Sequence, residues 1–263
     1  TFGSQELIDT FVPHMLEGSW SGTMALTEPQ AGSSLSDIVT SAEPQGDHYR
    51  ISGQKIFISG GDYKGVTNVV HLLLARIKGA PAGTRGISLF VVPKHRPGEG
   101  GDLVFNDVNT VGDFQKMGQR GYCTTHLSFG DQKDCRGWLV GEPHQGLKYM
   151  FLMMNGARIA VGRGAAAIAM AAYRTSLAYA KERPQGRKLT STGKKDVAKD
   201  QTLIINHPDV RRMLLTQKVI VEGALSLVLL SAKYQDLSLN HPEEAERKKY
   251  HALLELLTPV AKT

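Results

Sequence analysis

A short turn near the start of the chain has the residue types of a ligand-binding loop. Residues 24–34 read Met-Ala-Leu-Thr-Glu-Pro-Gln-Ala-Gly-Ser-Ser, so an apolar run breaks into an acid, a proline, a small-residue turn and two serines. Hydroxyls and backbone groups in such a turn can hydrogen bond to a ligand that lies against it. Thr27 and Ser33 could equally serve only to close the turn, so the stretch alone leaves both roles open.

A second stretch, Gly162–Ala167, fits the spacing G-x-G-x-x-A of a dinucleotide-binding fingerprint, and Glu182 follows at the expected distance. That fingerprint requires a strand before its first glycine and a turn at it. Here the flanking residues recur at three- and four-residue steps in one apolar face, which predicts a continuous helix that is mostly buried. We therefore interpret these small residues as positions of close helix packing.

Other catalytic and metal-binding motifs are missing from the sequence. It has no Walker loop, no H-E-x-x-H, no paired C-x-x-C and no G-x-S-x-G. Cys123 and Cys135 are the only cysteines, too few for a disulfide framework or a metal cage, so no metal site is expected. Two thiols in 263 residues fit a reducing compartment, and we expect a cytoplasmic location.

The positive charge of the chain is concentrated in one polar stretch. The formal net charge is +6 and the isoelectric point about 9.2. Between residues 181 and 201 the sequence carries a cluster of cations: Arg183, Arg187, Lys188, Lys194, Lys195 and Lys199. We interpret this stretch as a solvated loop rather than a DNA or RNA surface, and a ligand with several phosphates would use the same charge.

Hydrophobic periodicity divides the chain near residue 142. Before it, short β-rich runs alternate with turns, including 56–58, 69–74 and 87–92, a pattern typical of a sandwich or barrel. After it, helices are predicted from about Gln145 to Ala180, after Pro208, and from about Pro242 to Leu257. No apolar run approaches the roughly 20 residues that span a bilayer, so no membrane span is expected.

Five blocks of sequence, in order, resemble the acyl-CoA dehydrogenase family. Leu26–Ser34 resembles its T-E-P-x-A-G-S turn and Lys55–Gly61 its K-x-W-I-T/S-x-G strand. Further along the chain, Lys116–Arg120 matches K-M-G-x-R, Gly156–Arg158 resembles the start of a long helix, and Glu182–Arg187 resembles E-R-x-x-F/Q-G. The turn and residues 86–93 look like the branch with bacterial fatty acyl-CoA and 3-methylmercaptopropionyl-CoA dehydrogenases.

The resemblance implies an α+β fold in three parts. These are the end of an N-terminal helical domain over 1–21, a middle domain over 22–141 and a C-terminal helical domain over 142–263. The middle domain would be an antiparallel β-barrel or sandwich that binds flavin and acyl-CoA. The last domain would be an antiparallel helical bundle, incomplete because the family continues beyond Thr263.

The same resemblance implies two sets of site residues. The FAD-binding residues would be Met24, Leu26, Thr27, Gly32, Ser33, Phe57, Ile58, Ser59, Arg183 and Gln185. The acyl-CoA-binding residues would be Ser33, Asn155 and Arg158. Phe57 stands where the family usually has Trp, and Ser59 where it usually has Thr. Arg183 and Gln185 resemble residues that reach the FAD of the dimer mate.

The activity implied is α,β-dehydrogenation of an acyl-CoA thioester to the trans-2-enoyl-CoA in a bacterial homodimer or homotetramer, with electrons passed to an electron-transfer flavoprotein. It requires a carboxylate that removes the α-proton. The family keeps this Glu either beyond the segment matched by Thr263 or at the position of Ala157, so no catalytic residue is expected in the chain as given, which we expect to be inactive.

Two rival functions share this resemblance. An acyl-CoA oxidase has the same fold but passes electrons to oxygen, and it would produce hydrogen peroxide without an electron-transfer flavoprotein. A noncatalytic relative would bind flavin and also DNA through basic helical surfaces. Only the cluster of cations between residues 181 and 201 favours the latter.

Overall fold

The computed structural model describes residues 2–98 and 100–262. The chain forms two compact units, residues 1–151 and 152–263. Thr1 and Thr263, the outer ends of the predicted domains, lie outside the described residues.

The first unit begins with helix α1, Gln5–Glu17, in the region where a helix is predicted. The helix starts at Ser4, whose hydroxyl accepts a hydrogen bond from the backbone N–H of Leu7 at 3.3 Å. It ends at Gly18, which adopts the left-handed φ of 77° that glycine tolerates best. Phe11 is buried and lies 6.0 Å from Trp20, ring centre to ring centre, which fixes the helix against the sheet.

Ten strands follow among the described residues of the first unit, and they include the three predicted runs. They are β1 Trp20–Ala25, β2 Ser41–Pro44, β3 Tyr49–Ser59, β4 Asn68–Ile77, β5 Ile87–Pro93, β6 His95–Pro97, β7 Leu103–Phe105, β8 Val108–Asp113, β9 Thr124–Phe129 and β10 Arg136–Leu139. Strands β6 and β7 form a separate pair, and the other eight form one sheet.

The eight-stranded sheet is closed into a barrel-like ring. Its order is β1-β4-β5-β10-β3-β9-β8, and β2 pairs with both β3 and β4, so the path from β4 through β5, β10 and β3 returns to β4. Most pairings are antiparallel, as predicted, but β1 and β2 each run parallel to β4. The side-chain alternation of a strand is the same in either orientation, so the sequence pattern could not reveal these two pairings.

The interior of the ring is mainly apolar. All seven residues of β5 are buried, and most of β4 is buried with them. Ile51, Leu73, Phe90, Leu127 and Phe129 belong to this core and each is at most 1% exposed.

One histidine is buried in this β unit. His71 of β4 is fully buried and stands opposite Thr23 of β1, whose Oγ1 lies 2.7 Å from the imidazole Nδ1. Its ring also meets that of Phe129 edge-on at 5.7 Å. Burial lowers the pKa of His71 to about 3, so the ring is neutral at neutral pH.

Three helices make up most of the second unit: α2 Gly146–Glu182, α3 Pro208–Asn240 and α4 Glu244–Lys262. Helix α3 starts at the predicted proline, and α4 runs five residues beyond the predicted end at Leu257. Ile159, Val228 and Leu254, one from each helix, pack into a core with Tyr234.

The glycine-rich stretch of α2 confirms the packing interpretation at Gly162 but not at Gly164. Gly162–Ala167 lies inside the helix, so no dinucleotide turn exists there. A Cβ on Gly162 would lie 2.1 Å from the carbonyl oxygen of Ala261, which means that only glycine lets α4 approach this closely. A Cβ on Gly164 would meet nothing within 4 Å.

The prediction of a mostly buried α2 is wrong. Over the second unit, its buried residues are Ile159, Gly162, Ala166 and Ala180, while predicted core positions such as Val161 are more than half exposed. The apolar residues of α2 extend around most of the helix, so periodicity alone could not select the side that faces the neighbouring helices.

Helix α3 also departs from a sequence expectation. By length and composition it could cross a membrane, and 11% of its most apolar 18-residue window is buried. No other helix in the part of the chain that the structure describes meets these criteria, and a single such helix is weak evidence for a membrane span. The sequence prediction overlooked it because Lys218 and Glu222 interrupt the apolar run; they lie one helical turn apart, with Nζ and Oε1 separated by 3.7 Å. An apolar bundle helix passes this test as readily as a membrane span.

Replacing His71 by Gln should flatten the dependence of stability on pH. The unfolded imidazole binds a proton below about pH 6.5, but the folded ring stays neutral to about pH 3. The stabilisation is therefore complete above pH 6.5 and is lost as the pH falls towards 3, by about 1.4 kcal/mol per pH unit. Urea unfolding at pH 7 and pH 5 should show this loss in the wild type and in His126→Gln but not in His71→Gln. Equal slopes for all three proteins would contradict the prediction.

A pair of alanine substitutions should separate the two glycines of α2. Gly162→Ala should lower the free energy of unfolding by about 1–3 kcal/mol, because the new methyl group collides with the α4 backbone. Gly164→Ala, in open space, should raise it by up to about 1 kcal/mol through better helix propensity. Chemical denaturation measures both, and similar effects at the two positions would refute the packing account.

Candidate functional site

The turn over residues 26–33 begins where strand β1 ends. Two backbone hydrogen bonds close it: Glu28 N–H donates to the carbonyl of Ala31 at 2.8 Å, and Ala31 N–H returns to that of Glu28 at 3.1 Å. A third bond fastens the turn to β3, because Ile56 N–H donates to the carbonyl of Thr27 at 2.9 Å. The turn and the middle of β3 therefore form one backbone unit.

A fully buried ion pair lies beneath the turn. The Lys55 ammonium donates to Glu28 Oε1 at 2.9 Å, and the two side chains are 0% and 1% exposed. The same ammonium donates to the carbonyl of Leu26 at 3.0 Å. One buried cation thus holds both the start and the middle of the turn.

The Glu28 carboxylate has its remaining hydrogen-bonding capacity filled. It accepts from the backbone N–H groups of Val39 at 2.7 Å and Thr40 at 3.0 Å, and from Gln30 Nε2 at 2.7 Å. Burial would raise the pKa of Glu28, but the charge of Lys55 and these hydrogen bonds outweigh burial and hold the pKa below its usual value. Burial lowers the pKa of Lys55 to about 8 against the opposing effect of Glu28.

Strand β3 bulges immediately after Lys55. Its register with β9 shifts between Lys55 and Ile58, and Phe57 in the bulge adopts a φ of 58°. A left-handed φ at an aromatic residue stores strain of about 1–3 kcal/mol, and such strain clusters at ligand sites. The bulge leaves the Phe57 ring 57% exposed, 4.5 Å from the ring of Phe114.

The predicted hydroxyl ligands are available at this edge. Thr27 is half-buried, Ser33 and Ser59 are exposed, and none of the three hydroxyls makes a hydrogen bond to any residue in 2–98 or 100–262. Met24 is exposed beside them. Gly32 is exposed, and a Cβ there would meet only the Thr27 side chain, at 3.5 Å.

Leu26 and Ile58 can offer little more than backbone. Leu26 is half-buried and its carbonyl is bonded to Lys55. The Ile58 side chain packs in the β core at 2% exposure, and its carbonyl accepts from the hydroxyl of Thr125 at 3.1 Å.

The other predicted site residues lie in the second unit. Asn155 and Arg158 are half-buried and stand three residues apart on α2. Arg183 and Gln185 are exposed just after α2 ends, where residues 183–186 pair with 202–204 through backbone hydrogen bonds. The structure brings together the turn and bulge residues of the first unit. In the second unit it places Asn155 and Arg158 near the start of α2 and Arg183 and Gln185 beyond its end, so these two pairs lie apart.

His207 stabilises the segment that carries Gln185. Its Nε2 lies 2.7 Å from the carbonyl oxygen of Gln185, so the ring nitrogen donates that hydrogen bond. His207 also precedes the first residue of α3, and its own carbonyl accepts from Arg211 N–H at 3.0 Å. Both contacts give His207 a structural role at the start of α3.

Ala157, where some family members keep the catalytic Glu, and the carboxylate-bearing helix α4 both present exposed positions. Ala157 is exposed on α2. Glu255 of α4 is 60% exposed and lies 3.5 Å from His251 Nε2, one turn away. Neither position forms an enclosed acid or base.

The comparison with protein families agrees with this geometry. The family model described as acyl-CoA dehydrogenase, middle domain, matches residues 23–132. The 3-methylmercaptopropionyl-CoA dehydrogenase of Ruegeria pomeroyi is 44% identical over 253 residues, which are 96% of this chain and 42% of that protein. The chain belongs to the acyl-CoA dehydrogenase family. The family and branch predicted from the five sequence blocks are thereby confirmed.

Solved structures, including a butyryl-CoA dehydrogenase, share the fold. Butyryl-CoA dehydrogenase from Megasphaera elsdenii matches with a TM-score of 0.69 at 24% identity over 99% of this chain and 59% of that one, which shows the fold alone. A chain of the structure described as electron transferring flavoprotein of Acidaminococcus fermentans matches with a TM-score of 0.66 at 26% identity, over 99% and 60%. The predicted β domain followed by helices is confirmed.

Two components of the site escaped the sequence interpretation. Glu28 and Lys55 stand in two separate blocks, and no local pattern shows that they pair across 27 positions. Phe114 lies just before the Lys116–Arg120 block, and only the bulge brings Phe57 to it. The one available signal was the presence of an acid and a lysine inside otherwise apolar or small-residue stretches.

Removing one member of the buried pair should destabilise the protein strongly. Lys55→Met leaves the Glu28 carboxylate buried without a counter-charge and should cost about 3–5 kcal/mol. Lys55→Met combined with Glu28→Gln should recover more than half of that loss. The control, Lys94→Met, breaks the partly exposed pair with Asp62 and should cost about 1 kcal/mol or less. Urea unfolding gives all three values, and equal losses for Lys55→Met and Lys94→Met would contradict this account.

Proposed function

We propose that the chain acts in the FAD-dependent α,β-dehydrogenation of an acyl-CoA thioester to the trans-2-enoyl-CoA. The observation that carries the proposal is the exposed edge made by the turn and the bulge, in a chain of the acyl-CoA dehydrogenase family. The chain spans less than half the length of its 3-methylmercaptopropionyl-CoA dehydrogenase relative, so activity, substrate and partners are inferred from that relationship.

The residues at this edge fit a flavin. An isoalloxazine ring is polar along its edge and flat and apolar on its faces, so it needs hydroxyl or backbone donors next to an aromatic surface. Thr27 and Ser59 supply hydroxyls that have no partner within the described chain, and Phe57 with Phe114 supplies exposed rings. The backbone that carries them is fixed by the closed turn and by the bond from Ile56 to Thr27.

In this proposal each side chain has a binding or orienting task. When bound, FAD would accept a hydride from the β-carbon of the acyl group. Thr27 and Ser59 would donate hydrogen bonds along the ring edge, Met24 and Phe57 would pack on it, and Ser33 would reach the pantetheine or the flavin edge. Gly32 would let the backbone approach closely, and Leu26 and Ile58 would contribute main-chain groups.

The residues of the second unit would contact the charged ends of the ligands. Asn155 and Arg158 would contact the acyl-CoA, where the Arg158 guanidinium suits a phosphate oxygen. Arg183 and Gln185 would reach the pyrophosphate and adenosine end of FAD held by a second subunit, because a planar guanidinium suits phosphate oxygens. A shared cofactor site of this kind implies a homodimer or homotetramer.

The electron acceptor proposed is an electron-transfer flavoprotein, in a bacterial cytoplasm. The likeness to a chain of an electron transferring flavoprotein structure supports that class of partner. The base that removes the α-proton is assigned to no residue in 2–98 or 100–262.

Spectroscopy and product analysis test the function. The protein purified with FAD should show the flavin absorbance bands. In a protein that includes the catalytic carboxylate of the family, a straight-chain acyl-CoA should bleach these bands under anaerobic conditions. A dehydrogenase should reduce an electron-transfer flavoprotein and form little hydrogen peroxide, whereas an oxidase should form peroxide in air. Absence of flavin binding at saturating FAD would overturn the proposal.

Thr27→Val should change the bound flavin without changing the fold. Valine is close in size to threonine but lacks the hydroxyl donor, and Thr27 makes no side-chain hydrogen bond among the described residues, so stability should change by less than about 0.5 kcal/mol. The flavin absorbance maximum or its reduction potential should shift. Thr84→Val, in the connection between β4 and β5, is the control and should leave both unchanged. An unaltered spectrum and potential in Thr27→Val would remove Thr27 from the site.

A further inference from the structure

The Lys55 ammonium connects strand β3 to two residues of the turn, Leu26 and Glu28. It bonds the carbonyl of Leu26 and the carboxylate of Glu28, two positions on either side of Thr27. A charged donor makes shorter and stronger hydrogen bonds than a neutral one, so the backbone on both sides of Thr27 is tightly held. Lys55 itself lies one residue before Ile56, whose N–H binds the Thr27 carbonyl.

The Glu28 carboxylate extends this connection to the chain that leads into β2. It accepts from Val39 and Thr40, which lie at the far end of the segment that follows the turn. Thr40 is fully buried and continues into the strand that closes the barrel, and its carbonyl accepts from Arg76 N–H of β4 at 2.9 Å. The turn is therefore fastened to β3 through Lys55 and to the barrel closure through Glu28.

Stability alone does not account for a fully buried pair of charges at this place. Two well-packed apolar side chains of similar size commonly give equal or greater stability, because burying both charges costs nearly as much as their attraction returns. What an apolar pair cannot do is hold a carbonyl and two N–H groups at set positions. The pair is thus suited to fixing backbone geometry.

We propose that Lys55 and Glu28 are positioning residues of the flavin site, which set the backbone of Leu26 and Thr27 relative to the bulge that presents Phe57. Neither side chain touches the ligand, since both are fully buried. The expected effect on FAD binding rests on the proposed function, whereas the expected effect on the backbone of the turn does not.

The test uses the full chain with the paired substitutions Lys55→Met and Glu28→Gln, which leave no buried charge. The matched control pairs Lys94→Met with Asp62→Asn and removes the ion pair of 2.6 Å elsewhere in the same unit. Two quantities are measured: hydrogen exchange of the amides of Glu28, Ala31 and Ile56 without FAD, and the dissociation constant and absorbance spectrum with FAD.

Exchange of these three amides should accelerate at least about tenfold in the Lys55/Glu28 variant and stay unchanged in the control. FAD should bind at least about tenfold more weakly to that variant, with a shifted spectrum, while the control binds as the wild type does. Unchanged exchange at the three amides would overturn the proposal, as would wild-type FAD affinity and spectrum in a folded variant. If the wild type bound no FAD, the proposed function would fail, and the exchange result would still decide whether the pair positions the turn.

Discussion

The buried contact between Lys55 and Glu28 is the constraint on which the turn, the bulge and the closure of the barrel depend. A lysine inside a β domain requires an anion, and an anion in the same place requires donors on every oxygen. Here the Leu26 carbonyl accepts from Lys55, and the backbone N–H groups of Val39 and Thr40 donate to Glu28. The buried pair thus connects three stretches of chain: the turn, strand β3 and the segment that leads into β2.

The barrel in turn shields this contact from solvent. Strand β2 lies between β3 and β4, and Ile38 and Thr40, which lead into it, are at most 2% exposed. Inside the ring the side chains are almost all apolar, so the effective dielectric constant is low and the attraction between the two charges is strong. The exposed edge outside the ring has the opposite character, with unpartnered hydroxyls and aromatic rings. The backbone of the turn and bulge thus carries a rigid polar anchor on its buried side and exposed hydroxyls and aromatic rings on the other.

Much of this architecture could be predicted from the sequence, and the parts that could not have identifiable reasons. Helix α3 could be placed from Pro208, since proline suits the first turn of a helix and little else in such a context. Strands β4 and β5 could be recognised because their apolar runs are short and end at turn residues. The left-handed φ of Phe57 could not, because nothing in the local sequence requires it and the bulge arises from pairing with β9. The buried face of α2 could not either, since small apolar residues surround the helix and only the neighbouring helices decide which of them are covered. Of the candidate site, the turn and its hydroxyls could be named in advance, but the ion pair beneath them depends on contacts between distant segments.

Strand β5 has a consequence for the chain before it has folded. Its sequence, Ile-Ser-Leu-Phe-Val-Val-Pro, is uncharged and rich in β-branched and aromatic residues, and every one of these side chains is buried in the native sheet. Such a segment, when exposed in a nascent or partly unfolded chain, readily stacks on copies of itself. Arg85 precedes it by two residues and Lys94 follows its terminal proline directly, so both ends carry a feature that opposes strand stacking. The same strand that forms part of the barrel interior therefore favours aggregation when it is exposed, and the charges of Arg85 and Lys94 beside it oppose that stacking.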